Sequence, residues 1–433
     1  MPSTKLLLHN REQKIKQELI LNNEDIREDF RNEKFQKMAE SPYAFFRGSN
    51  HLYWGDFYND WRMSFFGGTS ATLTWINGDA HVYNYGAHAN HYGEAIFCMD
   101  DFDEAIVADY QFDLWRMAIS IVLDTRNNGL LSDLTQKKAL KVFAKAYYDE
   151  MISHKEDDDK NEVHLTKETS TGLMHKFLSK VEAKKNRLKM LDAWTEVKDG
   201  KRIFNLENEK LSSLSKEDFE KVSNALKSYQ KTINSSLKDK NEHFQIKDIV
   251  KRVKAGTGSL GSERYYILIE ADTEAEDDDV ILDMKQQSQA PLYLHMNADE
   301  KAEYDLKFGH GGMRHALAFQ ALSEHPDRYL GWTELDGITF SIKERSPFKC
   351  DFPTEKLNTP KKLLFMAQVW GNLLASRHKR ASYKLNTEKH EMPIAFGVLA
   401  GDKKKVFKAM VTTIALQYAD RVKEDFQCFL KML

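Results

Sequence analysis

Cysteine is scarce in this chain: Cys98, Cys350 and Cys428 are the only three in 433 residues, and none lies near another. That excludes a disulfide framework and a cysteine cluster of zinc-ligand spacing, and it suits a reducing compartment. An excess of one charge is also missing. Lys and Arg number 63 against 66 Asp and Glu, a net charge of -3, which argues for neither nucleic acid nor a membrane surface as partner. No apolar run approaches the ~18 residues that a membrane helix needs. Leu6-Leu7-Leu8 runs straight into charged residues and is too short for a secretory signal core. A soluble, cytoplasmic protein is expected, with export by a route that uses no such signal left open. No internal repeat is present. The length expects two or three domains with sizeable cores.

The most informative stretch is 73–105. It reads as strand, tight polar loop, strand, turn, strand and acidic loop. Leu73, Trp75 and Ile76 lead into Gly78-Asp79-Ala80-His81-Val82-Tyr83-Asn84. A hairpin then turns near Asn90 to Gly93 and returns through Ile96 to Met99, ending in Asp100-Asp101-Phe102-Asp103-Glu104. A hairpin brings its ends together, so Asp79, Asn84 and Asp101 are expected side by side. An Asp beside a hydroxyl can orient it and accept its proton. An Asn and a second Asp can hold a divalent cation through hard oxygen ligands.

The spacing GD-x-H-x-x-N followed by DF-x-x-A resembles the catalytic and metal loops of the protein-kinase-like superfamily, most closely its aminoglycoside and choline phosphotransferase branch. Tyr110-Gln111-Phe112-Asp113-Leu114 is similar to a segment of that branch in which an Asp opens a helix behind the metal loop. The resemblance implies that Asp79 is the catalytic base and that Asn84 and Asp101 hold magnesium. Further segments, Ser41-Pro42-Tyr43-Ala44-Phe45-Phe46-Arg47-Gly48 and Leu191 to Val197, resemble a bacterial kinase-like family of unknown function, so the likeness covers most of the chain. In the first of these, aromatic residues around one Arg suggest a packed turn. Arg47 is either a phosphate ligand or the partner of a structural carboxylate.

Residues 10–40 have helical spacing, and Phe112 to Arg126 form a strong helix with Leu114, Met117, Ala118, Ile121 and Val122 on one face, stopped by Asn127-Asn128-Gly129. Another helix starts near Ser132 or Thr135. Residues 163–245 are read as a mainly helical region around the catalytic lobe, with Lys184, Lys185 and Lys189 as a solvated face. Composition changes near residue 246. Gly256, Gly258 and Gly261 lie between an apparent strand and the alternating strand Arg264 to Glu270, and Val280 to Lys285 returns. A dinucleotide-binding glycine loop should open a helix. One between strands fits the phosphate-covering loop of kinases, with Lys285 placed like the lysine that binds the α- and β-phosphates. A helix over 301–325 should carry the glutamate that pairs with this lysine, yet no carboxylate stands near its middle. Residues 338–346 read as a strand, 361–380 as a long helix and 403–433 as one or two more.

The resemblance therefore implies an α+β, two-lobed protein-kinase-like fold in circularly permuted order. The expected parts are a large helical lobe over 1–245, a small antiparallel β lobe over 246–345 with the glycine loop, and helices over 346–433 completing the large lobe. The implied activity is ATP- and Mg-dependent phosphoryl transfer to an unidentified hydroxyl, with nucleotidyl transfer left open. Gly256, Gly258, Gly261, Lys285 and Arg47 would bind the nucleotide. Two alternatives remain: a metal-dependent hydrolase using His81, His88 and His91 with the Asp cluster, and a catalytically inactive nucleotide-binding protein.

Overall fold

The short apolar run Val280-Ile281-Leu282, continued by Met284, builds a strand, Val280–Gln286, near the middle of a six-stranded antiparallel sheet and buried on both faces. The computed structural model describes residues 4–129, 131–153, 164–233, 245–253, 262–270, 278–323, 325–385 and 391–433. The sheet order is Gly331–Leu335, Ile338–Glu344, Val280–Gln286, Arg264–Ile269, Ile246–Arg252 and Leu211–Ser212. Side chains alternate across a pleated strand. Val280, Leu282 and Met284 therefore join Ile267, Ile269, Phe340 and Ile342 in one core, on which helix Lys216–Tyr229 lays Val222, Leu226 and Tyr229. Ile281 shares the other face with Tyr266 and Leu268, covered by Met190, Leu191 and Phe204.

That arrangement corrects the reading of 163–245. Residues 187–229 cover the two faces of this sheet instead of surrounding the Asp79 and Asp101 loops, and Leu211–Ser212 is its edge strand. A sheet with apolar residues on both faces needs cover on both. The same region also contains a β-hairpin, Thr195–Lys198 with Lys201–Phe204. Its two-residue turn, Asp199 (φ 51°) and Gly200 (φ 73°), is the Asp-Gly signal of a type I′ turn.

A second, larger core is helical. Helix Gln111–Asn128 runs through its centre and ends at Gly129, whose φ of 64° makes the left-handed cap that glycine provides. Helices Asp133–Ile152, Pro360–Leu385, Glu391–Ala400 and Lys404–Leu430 surround it. Pro360–Leu385 approaches Asp133–Ile152 so closely at Gly371 that a Cβ there would collide with the carbonyl oxygen of Phe143. Trp370 and Leu374 are fully buried, as the sequence pattern requires. The region 10–40 forms two helices, Thr4–Leu21 and Glu28–Met38, where one periodic stretch was read. The expected turn around Arg47 is a short helix, Pro42–Gly48, whose Ser41 cap accepts the N–H of Ala44 at 3.1 Å. Residues 301–325 likewise divide into Ala298–Phe308 and Gly311–Leu322.

On this core sit the strands of the 73–105 stretch. Leu73–Ile76 pairs with Ile106–Asp109, and Tyr85–Ala89 pairs with Ala95–Met99 across the expected turn. The class is α+β, with helix and sheet segregated. No helix among the described residues is long and apolar enough to cross a membrane.

Candidate active site

The loop after Leu73–Ile76 is held from behind. Asp113, in the first turn of helix Gln111–Asn128, accepts the backbone N–H of Asn77 at 2.6 Å and of Gly78 at 2.9 Å. His378 reaches the same carboxylate at 3.3 Å, meets the Tyr147 hydroxyl at 2.8 Å, and accepts from Thr74 Oγ1 at 3.0 Å through its carbonyl. Helix Pro360–Leu385 therefore braces the loop. Gly78 has a φ of 79°, and a Cβ there would strike the carbonyl oxygen of Glu104, so the loop closes only with glycine.

This frame brings Asp79, Asn84 and Asp101 together. Asn84 Nδ2 donates to the Asp79 carbonyl at 2.9 Å, and the Asn84 carbonyl accepts the N–H of Asp100 at 2.8 Å. Asn77 spans the two loops, donating to the Asp101 carbonyl at 2.7 Å and accepting the N–H of Asp79 at 3.2 Å. With Nδ2 so engaged, Asn84 Oδ1 has no hydrogen-bond partner among the described residues. Asp101 is half exposed and stands at a φ of 61°, a left-handed conformation uncommon outside glycine and concentrated at functional sites.

Arg116 is fully buried and donates to Asp79 Oδ1, from Nε at 2.7 Å and again from Nη2. Burial pushes the Asp79 carboxyl up, but Arg116, His81 and Arg47 outweigh it and hold the group well below the usual carboxylate range. His81 is buried 3.5 Å from Asp79, and burial together with Arg47 lowers its imidazole to about 4. It is therefore neutral at pH 7. Arg47 is exposed, 5.9 Å from the Tyr83 ring centroid, and has no carboxylate partner among the described residues. Glu104 receives a hydrogen bond from Asn50. Burial and the neighbouring Asp79 charge push its carboxyl up to about 8.

The acidic loop is tied to the six-stranded sheet. Lys285 pairs with Asp103 and stands 4.0 Å from Asp101. Gln287 donates to Asp103 at 2.9 Å, and His315 lies 3.7 Å from it. Burial lowers the Lys285 ammonium, but Asp103 and Asp101 more than compensate, so it stays charged. No glutamate of the 301–325 region pairs with it among the described residues. The lysine's partner comes from the acidic loop, while the helix Gly311–Leu322 contributes Arg314, whose guanidinium donates to the carbonyls of Asp103 and Ser288, at 2.8 and 2.7 Å, and of Ala105. Asp100 is held by Lys343 and Lys349, both at 2.9 Å, and by His88 at 3.3 Å.

Between sheet and helical core lies a cleft of about 390 Å³. Asp101, Asp103, Arg264, Asp283, Lys285 and Lys343 line it. Arg252, on the strand before the glycine run, lines it too. Gly256, Gly258 and Gly261 themselves lie outside the described residues. Arg47 is not in this lining; it sits with Asp79 and His81. The three histidines of the hydrolase reading have separate partners, with His81 on Asp79, His88 on Asp100, and the backbone N–H of His91 on the His325 carbonyl. Among the described residues no three His, Cys, Asp or Glu side chains converge as a metal cluster. Asn84 Oδ1 and the Asp101 carboxylate are nonetheless hard oxygen donors of the kind that magnesium takes.

Sequence reasoning missed Arg116, Asp103, Glu104 and Arg314. The signal for Arg116 was present. An arginine inside an otherwise apolar helical run, at Trp115-Arg116-Met117, must be buried, and a buried guanidinium needs a carboxylate.

A comparison with curated proteins finds no match, and a comparison with solved structures finds none. Residues 28–432 match the family model described as an uncharacterized protein conserved in bacteria (DUF2252), and the chain belongs to that family.

Proposed function

We propose that this protein is a Mg-ATP-dependent phosphotransferase, with the six-stranded sheet and the helical core acting as the two lobes of a protein-kinase-like fold in circularly permuted order. One observation carries the reading. Lys285 from the sheet faces Asp101 at 4.0 Å, and Asn77 joins Asp101 to the Asp79 loop, so a phosphate-binding cation, a hard-oxygen pair and an orienting carboxylate share one locus. The chain order supports the permutation, since the Asp79 loop precedes the sheet strands.

Magnesium on Asn84 Oδ1 and the Asp101 carboxylate would neutralise phosphate charge. Lys285 would exchange Asp103 for phosphate oxygens, with Arg264, paired with Asp283, and Lys343, paired with Asp100, beside it on the cleft wall. The acceptor hydroxyl would donate its hydrogen bond to Asp79. A carboxylate held so acidic by Arg116 is a weak base, so Asp79 acts mainly by orientation. That suffices for a loose phosphoryl-transfer transition state, in which little proton transfer has occurred at the point of highest energy. The γ-phosphoryl passes to the hydroxyl oxygen, and ADP and a proton leave. Arg47, beside Asp79, would meet the acceptor rather than the nucleotide.

Thermal shift with Mg-ATP tests the assignment. The wild-type protein is stabilised, Asp101→Ala loses the shift, and Asp79→Asn keeps it while losing transfer. An undiminished shift in Asp101→Ala would remove Asp101 from the nucleotide site.

A further inference from the structure

A second concave surface lies beside the cleft, on the far side of Lys349. It is a groove of about 320 Å³ between helix Gly172–Lys184 and residues 350–356. Its floor is apolar and recessed: Phe177, Val181 and Phe352 are buried, with Leu173 and Pro353 half-buried beside them. Its rim is cationic. Lys176, Lys180 and Lys184 follow one another at four-residue spacing along one helix edge, and Lys356 stands opposite. All four are exposed, and none makes an ion pair among the described residues. Lys185 donates to the Lys349 carbonyl. Asp351 is the acid in the lining.

We infer that this groove docks an acidic amphipathic helix of a partner protein. Unpaired lysines held around an apolar floor repel one another, and they are complementary to an anionic ligand that also brings apolar side chains. The spacing selects the ligand's form. Three lysines one helical turn apart span about 12 Å along the axis at about 1.5 Å per residue, the interval at which carboxylates recur at i, i+4 and i+8 on a partner helix. The recess selects against a bilayer. A flat lipid surface would meet the lysine tips before reaching Phe177 and Val181, whereas a ridge of leucine side chains can enter between them. Lys349, which holds Asp100 in the cleft, is joined to the groove through Lys185, so an occupant would sit next to the candidate active site. The inference concerns binding alone and does not depend on phosphoryl transfer.

The test is fluorescence anisotropy on the full chain. The probe is a labelled peptide of roughly 18 residues with leucine at helical i, i+3, i+4 and i+7 spacing and glutamate elsewhere. Saturable binding is expected, weakened about tenfold by the double reversal Lys180→Glu/Lys184→Glu and also by raised salt. A control reversal of two exposed lysines on helix Asp133–Ile152, Lys137→Glu/Lys141→Glu, should bind like wild type. Both double variants change solvent-exposed side chains, and unchanged melting curves establish that they fold. Equal weakening by the two variants, no saturable binding of the peptide, or Lys180- and Lys184-dependent binding of phosphatidylglycerol vesicles in its place would each overturn the inference.

Discussion

Arg116 Nε donates to Asp79 Oδ1 at 2.7 Å, from a position with no solvent exposure, so the central carboxylate of the site is fixed by a buried cation from the helix behind it. The pair determines the chemistry available to Asp79. Against burial, Arg116 holds the carboxyl well below the usual carboxylate range, and one oxygen is committed to Arg116.

Removing one member of a buried ion pair leaves the other charge uncompensated, at a cost of about 3–5 kcal/mol. Arg116→Ala is therefore expected to lower unfolding stability by that order, in urea denaturation at pH 7. A loss below about 1 kcal/mol would mean that solvent already screens the pair.

Lys285 separates two roles. If its ammonium meets phosphate, Lys285→Ala weakens ATP much more than adenosine in isothermal titration. If its whole purpose is to neutralise Asp103, both ligands weaken alike and the protein loses stability.

Glu104 makes the protein's stability pH-dependent. Its carboxyl is raised from an ordinary 4.5 to about 8, first by burial and then by the Asp79 charge. The folded state therefore binds this proton more tightly than the unfolded chain. The contribution is fully present below about 4.5 and is lost as pH rises through about 8. Glu104→Gln should flatten the fall in stability across that window and exceed wild type above it. Asp79→Asn should bring the Glu104 titration down, read by carbon NMR of the labelled carboxyl. An unchanged titration would show that Asp79 does not reach Glu104 electrostatically.

Asp113→Ala orphans the N–H groups of Asn77 and Gly78, each at a cost of about 1–3 kcal/mol. Hydrogen exchange at these two amides should accelerate selectively, together with loss of Mg-ATP binding. Retained protection at both amides would show that the loop holds itself without Asp113.

Much of the local architecture was legible in the sequence because it rests on short-range rules. The alternating strand over 264–269 with the apolar return strand over 280–286, the helical stripe from Leu114 to Val122 with Gly129 behind it, and the hairpin between Tyr85 and Met99 each follow from local pattern and turn chemistry. The same rules bring Asp79, Asn84 and Asp101 together, since all three lie on one folded-back segment. Where the short-range signal was weak against its surroundings it was misread, as at Asp199-Gly200 inside a lysine-rich, helix-prone region.

Tertiary structure decided what the local rules do not contain. Which carboxylate meets Lys285 depends on how the sheet approaches the acidic loop, and the answer, Asp103, lies 182 positions away in the chain. Arg116 joins Asp79 across 37 positions, and His378 reaches Asp113 across 265. Helical and strand periodicity specify which face of an element is apolar, a property of each segment alone. The partner of a buried charge is set by the packing of whole elements against one another, where desolvation makes every unpaired charge costly and leaves few arrangements that satisfy all of them.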